Sequence, residues 1–466
     1  MIRYRILQST MIFLLVALSA LTAFGQGNTA PASKVVKITT DDALQLALSN
    51  NLDIKAGLAG LETARAQVAS MADNWDPRIT ALYSYTHLGE KPVFKLPGDS
   101  TIEGKNEIPM GTLENYMLGL NFIWPLYTGG AREANIRTME LSVEGLEAQQ
   151  QVLEDVIGVL AQHYCLSLVE ARKLVEVQKK GLEYVDGLLT RSQEFFDNGL
   201  IPKNDLLRVQ VEQTKRGQEL ANAENMARYS EDQLNSFIGF DFGTAVDVEV
   251  LGYEPFFFEA NLEPFYELAL KQRPEIRALD LQYEVLEEQR KAAKSGRLPN
   301  VSIVVAFERK GDEPLLPATG GGNPNSITGT VQVTYDINDG GKVSDKLKEL
   351  DKRKIELDVA KSKLEQQIYL EIEQAYLGVK QAYGDIKASQ TAITQADENL
   401  RITRLRFEEG LLVANDVIEA ETLSLGAQLN YYHALYNYYR SAAYVGKAVG
   451  VADIKYYLEL KDKLGL

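Results

Sequence analysis

The residues best suited to catalysis or metal binding are few in this chain of 466 residues. Its three histidines, His87, His163 and His433, lie far apart in sequence and lack the short spacings of metal ligands. The sequence also contains no Ser-His-Asp arrangement, phosphate-binding loop or carboxylate pair with the spacing of a catalytic site. We therefore predict no catalytic site, no metal and no cofactor, and we do not expect an enzyme.

Two acidic residues in the last quarter of the chain share one face of a predicted helix. Asp416 and Glu419 lie three residues apart, a spacing that brings side chains together on a helix surface. An acidic pair with this spacing at a helix start is also typical of a capping box. Asp205 occupies the corresponding place in the first half of the chain, which favours a helix cap as one role of Asp416.

These acidic residues lie near the ends of two long predicted helical rods. Gly129-Gly130 is followed by Gly199-Leu200, and Gly340-Gly341 is followed by Gly410-Leu411, with an offset of 211 residues between the copies (410 − 199). Apolar residues in each rod recur every seven positions, the period of a coiled coil. They are Leu168, Val175, Leu182, Leu189 and Phe196, matched by Val379, Ile386, Ile393, Leu400 and Phe407. At about 1.5 Å per residue, each rod is predicted to be roughly 100 Å long.

Four segments before the rods have the alternating pattern of β-strands, at about 78–88, 114–126, 300–309 and 327–337. One apolar face and one small polar face over about ten residues is typical of a membrane barrel strand. A small soluble hairpin sheet is the alternative. Four strands cannot close a barrel, whose practical minimum is about eight, and an open edge is forbidden in lipid. Closure therefore requires several chains, and this argument does not choose between two and three.

Residues 1–25 have the features of a cleaved signal peptide, with Arg3 and Arg5 before an apolar segment and small residues before Gln26. A membrane anchor is the alternative, but the apolar segment is too short to span comfortably. The cleavage region has no cysteine, so we expect no lipid anchor. No later segment is expected to provide the ~18 to 20 apolar residues of a spanning helix. Membrane insertion would therefore require strands.

The charge of the chain disfavours a nucleic-acid partner. The net charge is −16, and it becomes −18 without residues 1–25, which contain two arginines and no acid. A strongly acidic protein is repelled by phosphate backbones. The single cysteine, Cys165, has no partner in its own chain, so no intrachain disulfide is expected.

Five sequence elements in a fixed order resemble those of TolC-type outer-membrane efflux proteins, over essentially the whole mature length. They are the opening segment 42–48, the helix-ending Trp75-Asp76-Pro77 and Leu298-Pro299, the strand-to-helix junctions 124–130 and 335–341, and the two Gly-Leu turns. The resemblance implies a mostly α fold with a transmembrane β-barrel contribution. Each chain would supply two tandem repeats of a long antiparallel helical hairpin plus four strands to a trimeric tunnel, an α-barrel joined to a β-barrel.

The predicted repeats are residues 26–261 and 262–466, with hairpins at about 130–240 and 341–450, and they form one interleaved unit. The resemblance implies an exit duct for tripartite efflux or type I secretion, in the outer membrane with a periplasmic extension. Its partners would be two further copies of itself, a periplasmic adaptor, an inner-membrane pump and outer-membrane lipid. A secreted coiled-coil structural protein without a pore is the main alternative. A periplasmic adaptor is a weaker one, because adaptors lack two such rods flanked by paired strands.

The resemblance also assigns the ends of the rods. The two Gly-Leu turns would be free tips that dock onto the adaptor, with glycine as a left-handed helix cap and exposed apolar neighbours. The tip residues are Gly199, Leu200, Ile201, Gly410, Leu411 and Leu412. The strand-to-helix junctions would turn at Gly129, Gly130, Gly340 and Gly341. Trp124 and Tyr127, near a strand end, are expected in an interfacial aromatic belt.

The acidic residues match the family's narrow periplasmic gate. In a trimer, Asp416 and Glu419 would form two stacked rings that attract cations and resist anions. Asn204 and Asp205 would also belong to this gate, opposite the positions of the family's polar latch. The family's polar latch is replaced here by Phe407 and Leu412, whose side chains form no such hydrogen bonds. A closed entrance is therefore expected to be held by apolar contacts, or the resting tunnel to be looser.

Overall fold

The structure, a computed structural model, describes residues 35–73, 75–97, 101–102, 107–249, 254–316, 325–451 and 456–457. The predicted signal peptide, residues 1–25, lies outside these ranges. The described residues form eight helices and eight strands. Two long helical hairpins dominate the fold, which confirms the predicted class: mostly helical tandem hairpins with a contribution from strands.

The first repeat begins with a capped helix. The Thr39 side chain accepts a hydrogen bond from the Asp42 amide at 3.1 Å, and Asp42 accepts one from the Thr39 amide at 2.9 Å. This reciprocal capping box fixes the first turn of the helix. The elements in order are β1 (Val36–Thr39), α1 (Thr40–Asn50), α2 (Leu52–Asp73), β2 (Arg78–His87), β3 (Val93–Lys95), β4 (Glu107–Pro109), β5 (Glu114–Tyr127), α3 (Ala131–Asp197), α4 (Lys203–Ile238) and β6 (Val246–Glu249).

The second repeat has the same order of main elements. These are α5 (Glu263–Gln272), α6 (Pro274–Ser295), β7 (Asn300–Gly311), β8 (Asn325–Thr334), α7 (Lys342–Glu408) and α8 (Ala414–Ala448). The two long helices, α3 and α7, contain 67 residues each. At about 1.5 Å per residue, each is roughly 100 Å long.

The main sheet is antiparallel and has the order β2-β5-β7-β8. Its register pairs Phe122 with Ile79 on one side and with Val305 on the other, and pairs Ile303 with Val331. Paired residues share a face, so the alternating apolar residues of all four strands form one continuous apolar surface. The opposite face carries mostly small and polar residues, such as Thr80, Ser84, Asn121, Ser302, Thr328, Thr330 and Gln332.

Two short strand pairs were not predicted from the sequence. Strand β1 pairs in parallel with β6, and β3 pairs with β4 in the loop after β2. Each of these strands has three or four residues, too few for an alternating pattern to be recognised. The β1–β6 pair ties the start of the first repeat to its end.

The helices form a layer whose centre is the contact between the two hairpins. Helix α3 packs against α4, and α7 packs against α8, while α3 and α8 join the hairpins. Near the sheet, α2 and α6 pack against α3, and α6 also packs against α7. Helices α2 and α4 therefore lie on one side of the layer and α7 on the other.

The connection between the repeats is bound to the second hairpin by two tyrosine hydroxyls. Tyr438 accepts a hydrogen bond from the Phe256 amide at 3.0 Å and donates one to the Phe256 carbonyl at 2.9 Å. Tyr376 accepts from the Ala260 amide at 3.1 Å and donates to the Phe258 carbonyl at 3.3 Å. The buried hydroxyls thus satisfy the backbone of a segment without regular secondary structure.

One window in α3 is apolar enough to cross a membrane by length and composition, with a mean hydropathy of 1.4. The expectation that no segment after the signal peptide would reach this level was therefore wrong. Within the described residues, 44% of the window is buried inside the chain. The helix carrying it packs against α4, α6 and α8, and a packed core helix commonly has this composition.

Candidate functional site

The free ends of the two hairpins have the same turn geometry. Gly199 and Gly410 adopt left-handed conformations, with φ of 69° and 75°. Their amides donate to the carbonyls of Phe196 and Phe407, each at 2.9 Å. The next amide, of Leu200 or Leu411, donates to the carbonyl five residues earlier. This pair of hydrogen bonds is a Schellman motif, for which glycine is the favoured residue.

The apolar residues after these glycines differ in exposure. Leu200 and Leu411 are 70% and 69% exposed. Ile201 and Leu412 are half-buried, and Leu412 packs against the apolar cluster between the hairpins. The first tip therefore presents Leu200, and the second presents Leu411 together with Val413, which is 48% exposed.

An apolar cluster joins the two hairpins just inside the tips. Phe407 is 3% exposed, and its ring centroid lies 5.5 Å from that of Phe195. Val185, Val209 and Val417 complete the buried centre of the cluster, so all four long helices contribute to it. Phe407, which the resemblance places at a latch position, is therefore part of an apolar contact within one chain.

The two carboxylates predicted to form a gate, Asp416 and Glu419, have different surroundings. Asp416 is half-buried and accepts a hydrogen bond from the Val413 amide at 3.2 Å, whereas Glu419 is exposed. The cap thus spans residues 413 and 416, and the expected box between Asp416 and Glu419 is not formed. Asp205 is also half-buried, but the equivalent preceding residue is Pro202, which has no amide hydrogen to donate. Asp205 therefore cannot form the bond made by Asp416.

A buried ionic cluster lies behind the gate positions and was not predicted from the sequence. Arg216 on α4 is 3% exposed and donates to Glu421 at 2.7 Å and to Thr422 at 2.8 Å, both on α8. Its other nitrogens lie 3.0 Å from Glu212 and Glu219. A charge-assisted hydrogen bond between two helices is directional as well as strong. The cluster therefore fixes the position of α8 on α4.

Glu421 carries the least favourable charge of this cluster. It is 4% exposed, and burial raises its pKa to about 7, although the neighbouring Arg216 acts to lower it. Glu212 and Glu219 raise the pKa further because they are like charges. The sequence did contain a signal, since Glu421 lies between Val417 and Leu425 at spacings of four on the apolar stripe.

A second ionic link joins the hairpins farther from the tips, between α3 and α8. Glu170 is bonded to Arg440 and lies 2.5 Å from a ring nitrogen of His433. Burial lowers the pKa of the nearby His163, and the charge of Arg440 adds to this effect. Together with the Arg216 cluster, this link fixes α8 against the first hairpin at two points along its length.

The strand-to-helix junctions turn at paired glycines. Gly129, Gly130, Gly340 and Gly341 all have positive φ, between 63° and 87°. A Cβ at position 129 would lie 2.9 Å from a backbone oxygen at the end of α6, closer than real Cβ contacts. Helix α7 then begins with the Asp339 side chain accepting from the amides of Gly341 and Val343, each at 2.9 Å. These junctions redirect the chain from the sheet into the rods.

A family model for outer membrane efflux proteins matches residues 43–239 and 265–451, which is most of the chain. The chain belongs to the outer membrane efflux protein family. It is an outer-membrane exit channel for efflux, from a family of transport proteins rather than enzymes. Among the described residues, no group of three or more His, Cys, Asp or Glu side chains is arranged to hold a metal ion.

Solved channel structures share this fold at low sequence identity. CusC superposes with a TM-score of 0.73 at 14% identity, covering 92% of this chain and 96% of that one. VceC of Vibrio cholerae gives 0.69 at 16%, covering 89% and 97%. CmeC of Campylobacter jejuni gives 0.69 at 17%, covering 91% and 89%. No curated protein sequence matches this chain. These likenesses show the fold alone.

Proposed function

We propose that three copies of this chain form one duct, which receives its cargo from a periplasmic adaptor and an inner-membrane pump. Channels of this family are homotrimers that work with such partners. The observation that supports assembly from several copies is the open sheet, in which β2 and β8 each have one unpaired edge. Three copies supply 12 strands, enough to pair every edge, while a single sheet of four strands does not close.

The two faces of the sheet support its orientation in a membrane. Its apolar face is largely uncovered in the single chain, with Ile79, Ile327 and Val331 all exposed. In the trimer, this face would contact lipid and the small polar face would line the lumen.

Aromatic residues mark two levels of this apolar face. Tyr83, Tyr85 and Tyr116 cluster at one level, with ring centroids 6.4 and 4.9 Å apart, while Trp124 and Tyr127 lie towards the helices. The eight residue steps from Tyr116 to Trp124 span about 27 Å along the strand. This length is close to the ~25 Å apolar band that aromatic girdles flank in outer-membrane barrels, so Trp124 and Tyr127 are assigned to the periplasmic girdle.

The helical tips are assigned to adaptor docking. Leu200 and Leu411 are exposed at chain reversals, where a solvated turn has no need of a leucine. Gly199 and Gly410 shape the turns, while Ile201 and Leu412 anchor them to the hairpins. Substituting serine at both exposed leucines should abolish efflux but leave the trimer intact, as measured by complementation of a channel-deleted strain and by native mass. Retention of full efflux by this variant would remove the docking role.

The entrance is assigned to Asp416, Glu419, Asn204 and Asp205. Glu419 is the more available charge, because Asp416 also caps α8. Phe407 and Leu412 occupy the expected latch positions and have apolar side chains, so a closed state would be held by apolar packing rather than by a polar latch. The protein is further proposed to reach the outer membrane through a cleaved signal peptide, residues 1–25, and to carry no lipid anchor.

Planar-bilayer conductance of the purified mature protein, with its native mass, tests this function. We expect a trimer with low, cation-selective conductance. The Asp416→Asn/Glu419→Gln variant should conduct more and select less, because two acidic rings are neutralised. An Asp345→Asn variant, which neutralises an exposed acid far from the tips, is the matched control. If the protein is a trimer whose conductance and selectivity do not change in the double variant, the duct is supported and the gate assignment is wrong. A monomer without conductance would overturn the duct itself.

A further inference from the structure

A groove lies between α7 and α8, on the face of this hairpin that the connection between the repeats does not cover. The connection lies against the other face, where the Tyr438 hydroxyl bonds the Phe256 backbone. On the groove side, Asn437 and Tyr444 are exposed. The groove has a volume of about 550 Å³, which is in the range of pockets that bind small organic molecules.

Small residues form the floor of this groove. Ala375 and Gly378 on α7 line it together with Ala448 on α8. A Cβ at position 378 would lie 3.3 Å from Ser441 Oγ, so the glycine allows the two helices to approach closely. The floor is therefore apolar and lies deep between the helices.

The first repeat has aromatic rings at the equivalent positions. Ala375 and Ala448 correspond to Tyr164 and Phe237, each with the offset of 211 residues (375 − 164 and 448 − 237). The rings of Tyr164 and Phe237 contact each other, with centroids 4.8 Å apart. The second repeat has two methyl groups where the first has two rings, and this difference deepens the groove.

The charges that line the groove are two positive and one negative. Lys447 forms no ion pair with a described residue, and its Nζ lies 5.8 Å from the centre of the Tyr444 ring. The lining carboxylate, Glu371, is paired with Arg273 at 2.7 Å. The ammonium group of Lys447 is therefore available to an anion.

Arg440 supplies the other positive charge, at the end of the groove nearer the tips. Its guanidinium bonds Glu170 and donates to Asn437 at 2.9 Å. Its Nε is buried and has no acceptor among the described residues. A buried donor without an acceptor is unfavourable, so a ligand that brings an oxygen to this end would stabilise the site.

We propose that this groove faces the lumen of the duct and binds cargo that carries both an apolar ring and a negative charge. The lumenal position rests on the proposed trimeric duct. The connection and Tyr457 thicken the opposite face of the hairpin, and three copies of this layer inside a ring would narrow the passage. That face is therefore placed outside. Lys447 holds the acidic group, while the ring lies over Ala375 and Ala448.

Such a site complements the acidic entrance. Asp416 lies 31 residues nearer the tip than Lys447 on the same helix (447 − 416), or about 46 Å. An anion that leaves the groove towards the periplasm meets the like charges of Asp416 and Glu419, which oppose its return. Movement towards the exterior meets no such ring, so the release of anionic cargo is biased outwards.

Equilibrium dialysis of the purified full-length protein with naphthoate tests the site, with protein-free detergent dialysed in parallel. Naphthamide has the same ring without the charge. Lys447→Gln removes the positive charge, and Lys447→Arg retains it. Ala375→Tyr/Ala448→Phe fills the floor with the rings of the first repeat. Lys380→Gln is the matched control, because Lys380 lies beside the Phe257 ring on the face covered by the connection.

We expect naphthoate to bind about tenfold more tightly than naphthamide, and Lys447→Gln to abolish this preference, because a charge-assisted hydrogen bond is lost. Lys447→Arg and Lys380→Gln should bind naphthoate within about twofold of the wild type, and the ring-filling variant should not bind it. Equal naphthoate binding by the wild type and Lys447→Gln would overturn the site. This comparison remains decisive if the ring-filling variant fails to assemble.

Ion selectivity in planar bilayers tests the lumenal position. Under a salt gradient, saturating naphthoate should shift the reversal potential of the wild type and of Lys380→Gln towards greater cation selectivity, because lumenal positive charges are neutralised. Lys447→Gln should show no shift. Binding without a shift in the wild type would overturn the contact with cargo.

Failure of the duct gives a different result from failure of the groove. A protein that is monomeric or does not conduct would overturn the proposed duct and, with it, the lumenal position. A conducting trimer that binds naphthoate no better than naphthamide would keep the duct and overturn the groove alone.

Discussion

Replacing Arg216 by methionine should destabilise the helical part by leaving Glu421 buried without its partner. Arg216 bonds Glu421 at 2.7 Å, and the two side chains are 4% and 5% exposed. Removing one partner of a buried ion pair typically costs ~3 to 5 kcal/mol. Because unfolding entropy is about 2.1 cal/mol/K per residue, a chain of 466 residues loses about 1 °C in melting temperature per kcal/mol. The Arg216→Met variant should therefore melt about 3 to 5 °C lower.

The assay is thermal melting of detergent-solubilised protein, followed by circular dichroism at a helix-sensitive wavelength. The decisive comparison is the Arg216→Met/Glu421→Leu variant, which removes both charges and should recover most of the loss. Apolar residues of similar volume commonly replace a buried ion pair at little cost. In both variants Glu212 and Glu219 lose their contacts with Arg216. Lys215 remains near these two carboxylates, which reduces the destabilisation caused by that loss.

A matched control comes from the other repeat. Gln210 is the equivalent of Glu421 and is exposed in the single chain, so Gln210→Leu should change the melting temperature by less than about 1 °C. Two results would refute the reasoning. An unchanged melting temperature in Arg216→Met would mean that the pair does not hold the hairpins together. Equal losses in the single and double variants would mean that packing of the arginine stem, not its charge, carries the effect.

Three further outcomes follow from the structure. Gly129→Ala should lower the melting temperature more than Gly130→Ala, because only at position 129 would a Cβ meet a backbone oxygen at 2.9 Å; equal losses would show that φ alone matters. Burial raises the pKa of Glu421 in the folded chain to about 7 from 4.5. Protonated Glu421 therefore stabilises the fold fully at pH values below the pKa of the unfolded chain. This stabilisation is lost as the pH rises through the pKa of the folded chain. The melting temperature of the wild type should accordingly fall relative to Glu421→Gln between about pH 5 and pH 7.5, and a constant difference would contradict this. Tyr438→Phe should speed hydrogen exchange at the Phe256 amide, whose acceptor it removes, and unchanged exchange would indicate that another acceptor replaces the hydroxyl.

The sequence predicted the features that depend on repetition. The long helices, the strand alternation and the glycine turns each rest on a pattern spread over many residues, so they were recognisable without a structure. The sequence did not reveal which of Leu411 and Leu412 would be exposed, because that depends on contact with the other hairpin. It also predicted the wrong cap partner for Asp416, because the helix begins earlier than expected: Val413 is the N-cap, and its amide donates to Asp416 in the first turn.

The buried charges escaped prediction for a different reason. Arg216 and Glu421 are 205 residues apart in sequence, and each alone resembles an ordinary charged residue of a solvated helix. Only packing makes them a pair. A glutamate on an apolar stripe is the local signal that such a partner exists, but it does not identify the partner.

Helices α3 and α7 are equally long, at 67 residues each. This match restricts which insertions and deletions the chain can tolerate. One inserted residue in a rod would advance everything beyond it by about 1.5 Å and rotate it by about 100°. Every later contact of that rod with a neighbouring helix would then lose its partner. Tolerated insertions should come in whole heptads, which nearly restore the face, and they would have to occur in all four long helices together. The segment between β7 and β8 is not part of a rod, so its length need not match that of another helix. Length variation among descendants of this chain should therefore accumulate at the strand tips, while the rods keep their length.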